Sequence, residues 1–193
     1  MRYDIILAGV GGQGVLSLSA IIASSAMKEG LRVKQSEVHG MSQRGGTVLA
    51  NLRLSDERIS SDLIPLGSAA MILSMEPLES LRYLRYLDPA GTLITSSDPI
   101  VNIPDYPPLE GLLASVRSLP HAILVEAERL ARAAGSVRAT NMVMVGAASP
   151  NLPLQVETIE HFIRSLFERK GEKVVASNLE AFRAGRRAAE AWA

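Results

Sequence analysis

The residues best suited to chemistry fall in two clusters, Gly9-Val10-Gly11-Gly12-Gln13-Gly14 and His39-Gly40-Met41-Ser42-Gln43-Arg44-Gly45-Gly46. The first follows an apolar run, Tyr3 to Ala8, and precedes an apolar-periodic segment, the pattern of a buried strand turning sharply into a helix. Glycines there permit a tight turn, let another backbone come close and let the helix pack on the strand. The exposed N–H groups and the helix dipole would make a nest for a phosphate or carboxylate. The second cluster offers hydrogen-bonding side chains between glycines, with Ser42 and Gln43 as polar contacts and Arg44 as a planar fork for an oxyanion. His39 is a further candidate, as a base or as a structural group. A Gly-x-Gly-x-x-Gly turn also occurs where nothing binds, so the first motif alone leaves ligand site and plain turn both open. A dinucleotide fold would need an acidic side chain on the ribose about twenty residues on, a role Glu37 could fill.

Other constellations carry less. Glu76 with Glu79, and Glu126 with Glu128, read as solvated helix faces, and His39, His121 and His161 lack metal-ligand spacing. Neither a Walker A lysine nor a Gly-x-Ser-x-Gly elbow is present. Asn141 opens a helix, which makes it a cap, or a side chain facing the mouth between the glycine loops. The small residues Gly146-Ala147-Ala148 suit close packing on a neighbour, another chain included.

The elements that must position these residues follow from periodicity. A helix over 15–28 carries Leu16, Ala20, Ala23 and Met27 at helical spacing, with Gly30 ending it and a strand over 31–38 next. Alternation over 47–54 gives an antiparallel or edge strand, and 59–64 a short return strand or capped turn. A buried parallel strand ends at Ser74, a helix runs from Pro77 to about Leu87, and Asp88-Pro89-Ala90-Gly91 stops it before a strand over 91–95. The proline-rich stretch Ser96 to Pro108 is a long loop. A helix over 109–117, a strand over 122–126 and a helix over 127–134 follow, and the last third is helical over 139–148, around Ile159 and Ile163, and over 176–192. The fold class is α/β: a three-layer α/β/α domain spanning residues 1–193, with a mainly parallel Rossmann-like sheet and antiparallel edge strands. Both glycine loops should then meet at one rim.

The 193 residues hold twenty basic and twenty acidic side chains, a balance that argues against nucleic acid and membrane surfaces as partners. No cysteine is present, so cysteine-held zinc or iron–sulfur clusters are excluded on this chain. The first ten residues read as neither a signal peptide nor a spanning helix, which makes the cytoplasm the expected compartment.

The pair of clusters, in this order and spacing, resembles the gamma-type subunit or domain of 2-oxoacid:ferredoxin oxidoreductases, and within that family the indolepyruvate-type beta subunit. The likeness continues through Asn141-Met142-Val143-Met144-Val145-Gly146-Ala147 and ends near Asn178-Leu179-Glu180-Ala181-Phe182-Arg183-Ala184-Gly185. The resemblance implies an accessory subunit of an enzyme that oxidatively decarboxylates a 2-oxoacid to an acyl-CoA and reduces ferredoxin. Thiamine diphosphate and the iron–sulfur clusters would sit on a large catalytic partner subunit, and the isolated chain would be inactive. The expected site is Gly9, Gly11, Gly12, Gln13, Gly14, Ser42, Gln43, Arg44, Gly45 and Gly46, receiving coenzyme A phosphates or pressed against the partner.

Overall fold

A computed structural model describes residues 1–39 and 45–191, with the side chain of His39 excepted. Seven helices and six strands are seen among the described residues. The first strand, β1 (Arg2–Val10), is buried on both faces from Asp4 onward. Its side chains alternate between two cores, as the pleat dictates: Ile5 and Leu7 enter one, Ile6 the other.

The sheet order is β2-β3-β1-β4-β5-β6, with β2 (Arg32–His39), β3 (Thr47–Ser55), β4 (Ala69–Ser74), β5 (Leu87–Ser96) and β6 (Ala122–Val125). β1, β4, β5 and β6 run parallel, while β3 is antiparallel to both β1 and β2. The expected antiparallel strand is therefore present, but it lies inside the sheet and β2 takes the edge. β2 runs in the same direction as β1 without touching it.

The larger core lies between the sheet and a layer formed by α1 (Val15–Lys28), α4 (Ala127–Ala133), α5 (Thr140–Ala148), α6 (Val156–Phe167) and α7 (Glu172–Glu190). The smaller core lies under α2 (Pro77–Arg82) and α3 (Leu109–Arg117), completing the three layers. On α1 the buried stripe is Val15, Leu18, Ile21, Ile22, Ala23 and Ala26, so of the expected face Ala23 is buried, whereas Leu16, Ala20 and Met27 face outward. The chain leaves α1 through Gly30, at φ 84°, whose N–H donates to Met27 O at 3.1 Å.

α5 and α7 cross at backbone contact. A Cβ on Gly146 would stand 1.9 Å from Phe182 O, and one on Gly185 would stand 1.9 Å from Val143 O. Gly146, Ala147 and Ala148 are thus buried inside this chain, as close packing on a neighbouring helix requires, which leaves them unavailable to another chain.

Beyond α2 and α3 the second face is covered by irregular chain. Arg53 and Asp4 form a buried pair at 2.9 Å, and Arg53 Nη1 donates to Ser61 O and Leu63 O at 2.9 and 2.7 Å. Those bonds hold residues 59–64 down as a strap, so no return strand forms there. α2 ends at Arg82, and a single 3-10 turn, Leu84–Tyr86, leads into β5. β5 starts earlier than expected because Leu87 already pairs with Ala69, and Asp88 to Gly91 bulge out before Thr92 pairs with Met71. Gly91 belongs there since a Cβ would approach Ala69 O to 2.8 Å.

Candidate functional site

The two glycine clusters meet. Gly11 N donates to Gly46 O at 2.8 Å and Gly45 N donates to Gly11 O at 3.3 Å, which extends the β1–β3 ladder past the strand ends. Gly40 to Arg44, and with them Ser42, Gln43 and Arg44, lie outside the described residues, as does the side chain of His39.

Within the first loop the residues divide by task. Gly9 is a packing glycine: a Cβ would stand 2.8 Å from Val15 Cγ2 and 3.1 Å from Met75 Cβ. Gly12 and Gly14 hold φ of 102° and 81°, the left-handed region that glycine enters without strain. Gln13 turns inward, its Oε1 accepting from Val10 N at 2.7 Å and its Nε2 donating to Met75 O at 2.9 Å. The glutamine braces the loop from within, tying β1 to the end of β4.

Helix α1 begins at Gly14 with no side chain capping its first turn and no acidic residue in it. Among the described residues, neither Gly12 nor Gly14 donates its N–H to another group. Uncapped first-turn amides and the helix dipole together favour an anion there. Asn141 lies over this turn, with its Nδ2 2.8 Å from where a Gly14 Cβ would be. It is not a cap: Ala139 holds that position of α5, and the Asn141 Oδ1 is buried without a partner.

The proline-rich segment builds the third wall. Asn102 Nδ2 donates to Gly45 O at 2.7 Å, and Asp98 Oδ2 accepts from Ser96 Oγ and Glu128 N, both at 2.8 Å. Beneath it, Glu76 caps α2 by accepting from Glu79 N at 2.8 Å, and also accepts from Ile100 N and the Tyr106 hydroxyl. Glu79 accepts from Thr47 Oγ1, next to Gly46, and from Arg82 Nε, both at 3.3 Å.

Glu76 and Glu79 are 1% and 2% exposed, so the expectation of a solvated helix face is corrected. They are the residues that sequence reasoning missed at this rim. The available signal was Glu76-Pro77, a cap followed by an N1 proline, which places the first carboxylate against its own helix end. Burial, reinforced by the Glu76 carboxylate, raises the Glu79 carboxyl above its ordinary range, against the opposing pull of Arg82. Burial and the bond to Glu76 likewise hold the Tyr106 phenol protonated well above its ordinary value. Glu126 and Glu128, by contrast, are paired on the surface with Arg129 and Arg132.

Between these walls opens a cavity of about 320 Å3, bounded by Gly12, Gln13, Met75, Pro99, Arg138 and Asn141 among others. It lies outside the carboxyl ends of β1, β4 and β5, where open α/β sheets place their ligands. A nicotinamide-type ribose contact from Glu37 does not fit this frame. β3 separates β2 from β1, so Glu37 is two strand spacings, roughly 9–10 Å, from the strand that carries the nest.

Residues 4–188 match the family model described as pyruvate ferredoxin/flavodoxin oxidoreductase. The chain belongs to that family. It is 39% identical to the indolepyruvate oxidoreductase subunit IorB of Archaeoglobus fulgidus, over 96% of this chain and 94% of that one. It is also 38% identical to the Pyrococcus horikoshii IorB, over 98% and 96%. The ketoisovalerate oxidoreductase subunit VorA of Methanothermobacter thermautotrophicus is 29% identical over 93% of this chain but only 35% of its own length. Among solved structures, the fold is shared with 2-oxoglutarate:ferredoxin oxidoreductase from Magnetococcus marinus, solved with 2-oxoglutarate, coenzyme A and succinyl-CoA bound. The TM-score is 0.79 at 24% identity, covering 98% of this chain and 31% of that one. A keto/oxoacid ferredoxin oxidoreductase gamma subunit from Geobacter sulfurreducens superposes over 98% and 99% at a TM-score of 0.71 and 24% identity. The chain thus matches nearly the whole length of some of these proteins and about a third of others. No helix among the described residues is long and apolar enough to cross a membrane.

Proposed function

We propose that this chain is the small accessory subunit of an indolepyruvate-type 2-oxoacid:ferredoxin oxidoreductase, lending its glycine rim to chemistry done on a larger partner. The overall reaction takes a 2-oxoacid, coenzyme A and two oxidised ferredoxins to an acyl-CoA, carbon dioxide, a proton and two reduced ferredoxins. Iron–sulfur clusters, which supply the electron chemistry, would be held by the partner, since this chain has no cysteine to bind one, and thiamine diphosphate, which supplies the decarboxylation chemistry, would sit there with them. The relatives' name supports indolepyruvate or a related aryl pyruvate as substrate.

The observation that carries the proposal is the uncapped start of α1, held against the second glycine loop by two backbone bonds. Coenzyme A is the substrate with phosphates to offer it. Gly12 and Gly14 amides would receive a phosphate, Gln13 keeps the loop from collapsing onto it, and Arg138 and Arg44 supply positive charge. A second reading has the rim buried against the catalytic subunit. It is favoured by exposed apolar side chains beside the loops: Val38, Ile103, and Val101 at 71% exposure.

The two readings separate in the reconstituted complex. Arg138→Ala and Arg44→Ala raise the KM for coenzyme A at unchanged kcat and unchanged subunit affinity if the rim binds the coenzyme. If the rim is a contact face, the same variants weaken association and leave the KM alone. A complex unchanged in all these quantities would contradict both.

A further inference from the structure

Helix α1 turns toward water a face that carries no charge until its last residue. Across Val15–Lys28 the exposed residues are Leu16, Ala20, Met27 and Lys28, with Ser17 and Ser24 half-buried beside them. Leu16 is 42% exposed and Met27 58%. A helix on the outside of a domain ordinarily sets charged side chains against water, and one that is apolar all round is the pattern of a helix covered all round. The neighbouring helices follow the ordinary pattern: α6 exposes Glu157, His161 and Arg164, and α7 exposes Glu180, Arg183 and Arg187.

The small residues Ser17, Ala20 and Ser24 stand three and four apart, so another helix can approach the backbone of α1 closely between Leu16 and Met27. Beside them a notch of about 330 Å3 opens toward α6, walled by Ala20, Ile21, Ser24, Phe162, Ser165 and Leu166. Leu166 is exposed, which continues the apolar surface onto α6. A hollow of this kind suits a bulky apolar side chain from a partner, as interface anchors do. Leu16 lies two residues from Gly14, so the strip begins at the rim and runs away from it down the helix.

Charge selects the occupant. Arg138, Lys170 and Lys173 stand around the hollow that Ser17 helps to line, and Lys28 closes the other end of the strip. Among the described residues none of the four is in an ion pair. The acids at those two ends are engaged already, Glu180 by Arg187 Nη2 at 2.7 Å and Glu29 by Gln155 N at 2.9 Å. A second copy of this chain is disfavoured in either direction: laid antiparallel it brings its Lys28 to the cations near Ser17, and laid parallel it sets each cation against itself. An apolar helix face flanked by acidic side chains complements both the strip and its ends.

We propose that the α1–α6 strip is the docking surface for a helix of the larger subunit, apolar on the face it presents and acidic at its ends. The assignment rests on the accessory-subunit reading of this chain, and not on whether the glycine rim holds coenzyme A.

The test is calorimetric titration of the full chain into its purified larger subunit. Ala20→Glu, which sets a charge in the middle of the strip, should weaken binding at least about tenfold, while Ala20→Ser binds as the parent does. Ala20 is exposed, so the free Ala20→Glu chain should melt with the parent. Lys28→Ala/Lys170→Ala/Lys173→Ala should bind more weakly and lose less affinity than the parent between about 50 and about 300 mM salt. An Ala20→Glu chain that binds as tightly as the parent would overturn the strip and leave the accessory-subunit reading standing. A lysine variant with the parent's affinity and salt dependence would overturn the acidic partner, as would a parent that sediments as a dimer and loses it in Ala20→Glu, which assigns the strip to a second copy. A parent chain that does not bind the larger subunit at all would overturn the accessory-subunit reading and this assignment with it.

Discussion

Glycine does opposite work in two regions of this molecule. At the α5–α7 crossing, Gly146 and Gly185 have no room at all: an added Cβ would fall 1.9 Å from a backbone oxygen of the facing helix. At the rim, Gly12 and Gly45 have nothing within 4 Å of that position but hold φ of 102° and 76°. The first pair is required by packing and the second by conformation and access. Gly14 stands between, with φ 81° and a neighbour, Asn141 Nδ2, at 2.8 Å. The comparison teaches that the crossing fixes the fold, while the rim keeps its backbone exposed at a stability cost that packing elsewhere must cover.

Substitutions can break that contrast. Gly185→Ala drives a methyl into Val143 O and should cost about 3 kcal/mol or more, since neither helix backbone can yield locally. A guanidinium chloride midpoint close to that of the parent would show that the crossing is looser than described. Gly14→Ala should cost about 2 kcal/mol, from left-handed strain plus the contact with a side chain that can shift. Gly12→Ala, strained but unobstructed, should cost about 1 kcal/mol. In the assembled complex the ranking should invert, with both rim variants losing coenzyme A dependence or association and any folded crossing variant retaining them.

The smallest effect concerns the floor of the rim. The folded-state pKa of Glu79 is raised above its ordinary value of 4.5 by burial. A carboxyl of that kind adds stability in its protonated form, fully below the unfolded pKa, and that contribution is lost as pH rises through the folded pKa. Glu79→Gln should therefore flatten the fall of the urea midpoint above pH 4.5 without lowering it at neutral pH. A variant whose pH profile matches the parent's would show that Glu79 carries no raised pKa.

The sequence displayed the turn from β1 into α1 because glycine spacing, apolar run and helical period all agree over one continuous stretch. It also led to the expectation that the loops share one rim, although they meet there because Gly45 and Gly46 lead into β3, whose start pairs with the end of β1, and not because β2 lies beside β1. The insertion of β3 between β1 and β2 was not legible, because strand order depends on pairings made across the chain, Ile5 with Leu52 and Gln35 with Leu52, that no local pattern encodes. Glu76 and Glu79 misled for a related reason: their helix is short, and the segment that buries it lies twenty to thirty residues on, at Ile100 and Tyr106. Asn141 resembled a cap because capping residues and first-turn residues differ by only two positions.

The central claim is that the joined glycine loops form the face through which this subunit serves the complex. Hydrogen exchange of the Gly12 to Val15 and Gly45 to Thr47 amides, compared between the free chain and the assembled enzyme with coenzyme A, tests it directly. The account predicts protection concentrated in those two stretches. Unchanged exchange there, with protection confined to the opposite end of the sheet, would contradict it.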